Sequence, residues 1–286
     1  MIPAGASFVR EALGRHGLRP SKFRGQCFLV DGNLAAAIVR DAALVSGENV
    51  LEVGPGTGCL TTRLAAPGRK VLAVEIEPAL AAVCREVVGE APGVEILVAD
   101  ALAGKRRLDP GLERRLPALS PFVLVSNLPY SIAGPLLVEL ARSAHPPSRM
   151  IAMVQEEVAL RIVASPGSRE YGPLSAALGI GWSSRILRRV PPEVFWPRPK
   201  VRSAVVRLTP LEAGVAPPVY AAYLEGLRLL FRFPRKTLRA VLRGLGCSDP
   251  PGVLSQAHVD PGARVGELAP VEIKRLADAL REAGLG

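Results

Sequence analysis

Histidine is scarce in this chain, with three in 286 residues, and cysteine nearly so. The four cysteines, Cys27, Cys59, Cys84 and Cys247, lie far apart and form no Cys-x-x-Cys pair. Those shortages argue against a zinc site and against a disulfide framework, so no metal is expected. Isolated thiols of this kind suit a reducing, cytoplasmic compartment. Uninterrupted apolar runs of about 18 residues are also missing, which excludes an obvious membrane-spanning helix. The opening stretch MIPAGASFVREALGRHGL is broken by Arg10, Glu11 and Arg15. It reads as an amphipathic helix rather than a secretory signal.

Hydrophobic residues make up 49% of the chain, enough for a globular core. The net charge of +10 is unevenly spread. Between Gly181 and Leu245 stand thirteen Lys and Arg against three acids, a surplus of ten, so the remainder is neutral. Solvated arginine-rich faces would explain part of this. A surplus confined to one region points more directly to nucleic acid, whose phosphates are met by Lys and Arg with release of counterions.

From Asn33 the hydrophobic pattern alternates. LAAAIVRDAAL, TTRLAA, ALAAVCREVV and GPLLVELARSA have helical spacing, and NVLEVG, KVLAVE, EILVAD, PFVLVSN, RMIAMVQ and SAVVRL read as buried strands. The expected fold is α/β with a mostly parallel sheet, whose ligands sit at the carboxyl ends of the strands. After VRLTP the segment LEAGVAPP is linker-like, and three helical stretches follow. The expected division is residues 1–210 for the α/β domain and 211–286 for a small helical domain.

Three successive strands end in residues suited to a nucleoside cofactor. LEVGPGTG is a strand running into a glycine turn, where Gly54 and Gly56 allow close approach of a ligand. Such turns are common, so this signal alone is weak. Glu75 closes KVLAVE, where a carboxylate can hold both ribose hydroxyls. Glu77 is the alternative, although a residue before Pro78 suits the start of a loop. Asp100, at the end of EILVAD, can accept from an adenine amino group, with Ala101 as an apolar wall.

PFVLV then runs straight into SNLPYS. A capped turn with a core tyrosine would account for Asn127, Leu128, Pro129 and Tyr130. Chemistry on a flat, amino-bearing ring accounts for them better. The Asn127 side-chain carbonyl and the Leu128 backbone carbonyl can accept from an exocyclic amine. Pro129 stiffens the loop without adding a donor. Tyr130 can stack on a base, an interaction of roughly 1–3 kcal/mol.

EVGPGTG with these strand-end acids resembles class I S-adenosyl-L-methionine-dependent methyltransferases, whose sheet is Rossmann-like, and NLPY resembles the motif of amino-methyltransferases acting on adenine. SKFRGQCFLVD, LEVGPGTGCLT, VLAVEIE, ILVADAL, SNLPYSI, EYGPLS, VPPEVFWPRPKVRSAVVRL and FRFPRKTLRAVL stand in the order seen in the small-subunit rRNA adenine dimethyltransferases (KsgA/RsmA family). The resemblance runs from about Leu18 to the final helix. It implies dimethylation of the N6 amino groups of two adjacent adenosines in the 3′-terminal hairpin loop of 16S rRNA, by a monomer acting on an assembling 30S-type particle. It further implies cofactor contacts from Cys27, Leu29, Gly54, Gly56, Glu75, Asp100, Ala101 and Asn127. Phe195 would face the target adenine opposite Tyr130, although core packing is the alternative for it. Arg232, Arg235, Lys236 and Arg239 would bind RNA. Cys27 stands where the family usually has Asn or His, which leaves a backbone contact there. Two other readings are an Erm-type large-subunit rRNA methyltransferase and a non-catalytic assembly factor on the same fold.

Overall fold

The computed structural model describes residues 5–21, 26–104 and 106–285, so Lys22–Gly25 of the SKFRGQC stretch lie outside the described residues. Nine strands are formed among the described residues: β1 (Phe28–Leu29), β2 (Asn49–Val53), β3 (Val71–Glu75), β4 (Val94–Val98), β5 (Phe122–Asn127), β6 (Arg149–Gln155), β7 (Trp182–Val190), β8 (Phe195–Trp196) and β9 (Ser203–Pro210). Seven make one sheet in the order β4-β3-β2-β5-β6-β9-β7. The five from β4 to β6 are parallel, and β9 lies antiparallel to β6. The short β1 and β8 form a separate antiparallel ladder.

The sequence explains the layering. Val50, Leu51, Val71, Leu72, Val123 and Leu124 are all but inaccessible to solvent. That burial on both faces is what continuous apolar strands demand, since crossover helices cover a parallel sheet on each side. Four helices precede β4 in the chain: α1 (Ala6–Arg15), α2 (Gly32–Ala42), α3 (Thr61–Leu64) and α4 (Pro78–Val88). Asp31 caps α2 by accepting from the Leu34 N–H at 2.9 Å. Pro78 opens α4, where its missing N–H costs nothing.

Strand order reverses beside β2. The chain goes from β2 outward to β3 and β4, then returns to add β5 and β6 on the other side. Such a switch point leaves a crevice beyond the carboxyl ends of β2 and β5.

The chain divides into two compact units. The first comprises Met1–Leu140, His145–Ala159 and Arg185–Thr209, and the second Ala141–Ala144, Leu160–Ser184 and Pro210–Gly286. The second is therefore discontinuous, and Pro210 marks where the chain enters it for the last time. Within it, helix Pro217–Leu230 packs on helix Pro270–Glu282, close enough that a Cβ on Gly226 would overlap Ala277. Tyr220 and Tyr223 are buried there and donate to the carbonyls of Ala177 and Ala176 at 2.5 and 2.9 Å. No helix among the described residues is long and apolar enough to cross a membrane.

At the amino ends of the strands, Arg149 of β6 bonds both oxygens of Glu48 at 2.6 Å and donates to the carbonyls of Ala42 and Ala43, each at 2.7 Å. Both side chains are largely buried, and the guanidinium holds the Glu48 carboxyl below its usual range. Removing one partner leaves the other buried without compensation. Arg149→Ala should therefore destabilise the fold by about 3–5 kcal/mol, while an apolar replacement of both residues should recover most of that loss; urea midpoints of the three proteins check this.

Candidate active site

Register sets the site. Val53 pairs with Val74, and Leu51 with Leu124. Continuing both ladders brings Gly54, Glu75 and Asn127 to one level at the carboxyl edge. The Gly54 N–H reaches the Val74 carbonyl at 2.8 Å, and the Ser126 hydroxyl donates to the Val53 carbonyl at 2.6 Å.

Beyond β2 the chain turns on residues with positive φ, 74° at Gly54 and 55° at Gly56, a region that L side chains rarely adopt. Space is also short. A Cβ on Gly54 would lie 3.0 Å from Pro129 Cγ, and one on Gly56 would lie 3.1 Å from the Phe28 ring. The glycine turn and the NLPY loop thus abut. Together they wall a cleft of about 720 Å³, lined also by Cys27, Leu29, Glu75 and Asn127. Glu75 is 5% exposed and accepts from the Gly56 N–H at 3.3 Å and the Glu77 N–H at 3.1 Å. Burial pushes its pKa up against those two bonds.

On the other wall, Leu128 is buried, and its N–H is held by the Met153 carbonyl at 3.0 Å. Tyr130 is half-buried with its hydroxyl 3.2 Å from Ser203 Oγ. Desolvation raises its phenol pKa. Ring and loop are therefore both tied to the strands beyond β5, Tyr130 to β9 and Leu128 to β6.

Not every expected residue joins this cleft. β4 stops at Val98, so Asp100 lies two residues past the strand rather than at its end, exposed, with Oδ1 accepting from the Leu102 N–H at 3.0 Å. Ala101 is 3% exposed and packed inward. Phe195 is 4% exposed, opposite Leu29 in the β1–β8 ladder and within the apolar core, and it does not line the cleft. Arg232, Arg235, Lys236 and Arg239 belong to the second unit, where all four are exposed.

Several lining residues, Ile76 and Glu52 among them, are given no role by the sequence, and Gln26 is placed there only near the cofactor contacts. Ile76 is 62% exposed between two acids, an apolar face offered to a ligand. Gln26 reaches Glu77 Oε2 at 3.0 Å at the cleft's edge. Glu52 is 1% exposed, and its Oε2 has no hydrogen-bond partner. Its signal was available: a lone acid inside the apolar strand NVLEV.

These features fit an adenosine-bearing cation. The turn leaves no room for side chains, Glu75 offers a carboxylate beside it, Ile76 offers an apolar face, and the cleft floor carries acidic residues. Among the described residues no cluster of His, Cys, Asp or Glu suits a metal. Fold and site are those of a class I methyltransferase that uses S-adenosyl-L-methionine.

Comparison with known proteins narrows this further. The ribosomal RNA adenine dimethylase family model matches residues 18–282, and the chain belongs to that family. A protein from Pelotomaculum thermopropionicum named ribosomal RNA small subunit methyltransferase A is 39% identical, over 99% of both chains. One of the same name from Paracoccus denitrificans is 40% identical, over 96% of both. Among solved structures, the 23S rRNA methyltransferase ErmE is 27% identical with a TM-score of 0.64, covering 89% of this chain and 99% of its own. A dimethyladenosine transferase from Plasmodium falciparum, 22% identical, has a TM-score of 0.70, covering 89% of this chain and 97% of its own, and supports the fold.

Burial pushes the Glu52 carboxyl up to about 8, helped by the nearby Glu75. The folded protein then keeps a proton that the unfolded chain releases from about pH 4.5 upward, so stability falls with rising pH between about 4.5 and 8. Glu75 adds to the same trend, whereas Glu48, whose pKa is lowered, acts only at more acidic pH. Glu52→Gln should flatten this decline, measured as urea midpoints at pH 5 and pH 8 without ligand.

Proposed function

We propose that this protein dimethylates the N6 amino groups of two adjacent adenosines in the 3′-terminal hairpin loop of 16S rRNA, acting as a cytoplasmic monomer on an assembling 30S-type particle. The observation that carries this reading is the contact between Gly54 of the cofactor turn and Pro129 of the NLPY loop, which sets donor and acceptor sites wall to wall. Relatives 37–41% identical over at least nine-tenths of this chain bear the small-subunit name, against 27% identity to ErmE, and this favours the small subunit over the large.

S-adenosyl-L-methionine supplies an electrophilic methyl group on sulfur. The protein's part is to make a poor nucleophile competent and to aim it. An adenine N6 lone pair is delocalised into the ring. In the proposed mechanism the Asn127 side-chain carbonyl and the Leu128 backbone carbonyl accept from the two amino hydrogens, draw the nitrogen toward pyramidal geometry and direct its lone pair into the cleft. With Leu128 tied to β6, that acceptor cannot drift, which is the positional control such a reaction needs. Tyr130 holds one face of a base taken out of its loop. Phe195 could supply the opposite face only by leaving the core position it occupies beside Leu29. In the second unit, Arg232, Arg235, Lys236 and Arg239 offer accessible charge to RNA phosphates. Glu75 would hold the ribose, and Asp100 and Ala101 the adenine end of the cofactor.

The test is transfer of labelled methyl from S-adenosyl-L-methionine to undermethylated small and large subunits, followed by nucleoside analysis. Dimethyladenosine should appear in small-subunit RNA; label confined to the large subunit would replace this reading with the Erm-type one. Asn127→Ala should lower kcat at least about 100-fold, the usual cost of a transition-state hydrogen-bond partner, with RNA affinity little changed. Glu75→Ala should instead weaken cofactor binding about ten- to hundredfold, as for loss of a charged hydrogen bond, read directly by equilibrium dialysis.

A further inference from the structure

Charge in the second unit gathers around one turn. From Gly226 to Ser248 the chain carries six Lys and Arg and no acid. Residues 231–236 form the turn between helix Pro217–Leu230 and helix Leu238–Gly244. It is held at both ends. The Phe231 N–H reaches the Leu227 carbonyl at 3.0 Å; past the turn, Thr237 pairs with Arg264 and the Leu238 N–H reaches the Ala263 carbonyl at 2.8 Å. Within it the Lys236 N–H closes on the Phe233 carbonyl at 3.0 Å, and Pro234 restricts the backbone between them. Cations need no aromatic ring to meet phosphates, so the charge of this turn leaves Phe233 unexplained.

Phe233 is partly exposed. The Lys236 ammonium stands 4.8 Å from the centre of its ring and the Arg232 guanidinium carbon 5.9 Å, both within the range of cation–π attraction. A lone apolar side chain at the surface would need no account. This ring differs in its surroundings, a flat π-surface on a fixed turn with long, exposed cations resting against it. Between exposed groups a cation–π contact is weak, and a nucleobase stacked on the same ring is held more strongly. A base can therefore take the ring from a cation. The displaced ammonium or guanidinium then lies beside that base, where its flanking phosphates are.

We infer that Phe233 is a stacking platform for one unpaired nucleobase of RNA, with Arg232, Arg235 and Lys236 meeting the phosphates on either side of it. The inference rests on the reading of RNA as the ligand, and it adds a base-binding position to the phosphate contacts proposed for the second unit. Every base has a π-face, so the platform is indifferent to sequence. It requires an unstacked base, however, and so selects single-stranded segments over duplex.

Binding of the full chain to a labelled oligocytidylate of about twelve nucleotides, a length such surfaces cover, tests this. That strand offers no adenine to the NLPY loop. The matched probe is an abasic strand with the same number of phosphates. Phe233→Leu keeps an apolar side chain and should weaken the oligocytidylate about five- to hundredfold, as for one lost stacked base, with the abasic strand unchanged. The slope of log affinity against log salt should stay that of wild type, because no phosphate contact is lost. Arg235→Ala should behave oppositely, lowering the slope by about 0.7 and weakening both strands alike. Phe233→Trp gives an independent reading: its fluorescence above that of wild type should be quenched by the oligocytidylate and not by the abasic strand. Equal weakening of both strands by Phe233→Leu, with a reduced slope, would mean that the ring only orders the cations, and would overturn the inference. Unquenched fluorescence with the oligocytidylate bound would do the same, and it decides alone should Phe233→Leu not fold. Binding of an undermethylated small subunit but of neither strand would also remove the platform. Failure of wild type to bind any of the three would instead reject the RNA reading beneath it.

Discussion

Everything in the active site hangs on the register of three parallel strands. β3, β2 and β5 are held so that Glu75, Gly54 and Asn127 emerge at the same height. A slip of one residue in any of them would turn every side chain to the opposite face. The register is defended at both ends. The Ser126 hydroxyl ties β5 to the last carbonyl of β2, and at the far edge Arg149 and Glu48 tie β6 to the approach to β2. A site mounted on strand ends inherits the rigidity of the sheet, and that suits a reaction governed by aim more than by acid–base strength.

The close fit between the glycine turn and NLPY has a second effect. Because Pro129 occupies the volume a Gly54 side chain would need, the donor wall and the acceptor wall share a surface. A shift in one is felt by the other, since packed interiors do not deform smoothly. The Tyr130–Ser203 bond carries that coupling to β9, which is laddered in turn to β6, the strand that holds Leu128. The position of the NLPY loop is thus set by the same contacts that shape the glycine turn.

The fold was legible where burial on both faces wrote continuous apolar strands, as in KVLAVE and PFVLVSN. It was least legible where pairing is short or where a strand's faces differ irregularly. The two-residue ladder of Phe28–Leu29 with Phe195–Trp196 has no periodicity to read, and β7 mixes buried and exposed positions without strict alternation. The second unit's claim on Leu160–Ser184 is a tertiary fact, expressed in Tyr220 and Tyr223 reaching the carbonyls of Ala177 and Ala176. Within the site, Gly54, Glu75 and Asn127 were readable because each stands at a strand end. Glu52 was visible as the first residue of EVGPGTG, but its burial in the cleft floor is a tertiary fact. Phe195, an aromatic residue in a recognisable motif, occupies the core position that the sequence also allowed for it.

Electrostatics sorts the two substrates. RNA is a polyanion, and the exposed arginines and lysine from Arg232 to Arg239 are the charge proposed to meet it. The cleft floor has the opposite character, with Glu52, Glu75 and Glu77 lining it. Phosphate is repelled from such a floor, whereas a cationic cofactor is attracted to it. An uncharged base is the part of RNA that would not oppose that field, and Asn127, Leu128 and Tyr130 present neutral groups in the cleft. In the proposed reading a polyanion and a cation are served without mixing their sites, the neutral NLPY loop admitting the base and the acidic floor turning the phosphate away.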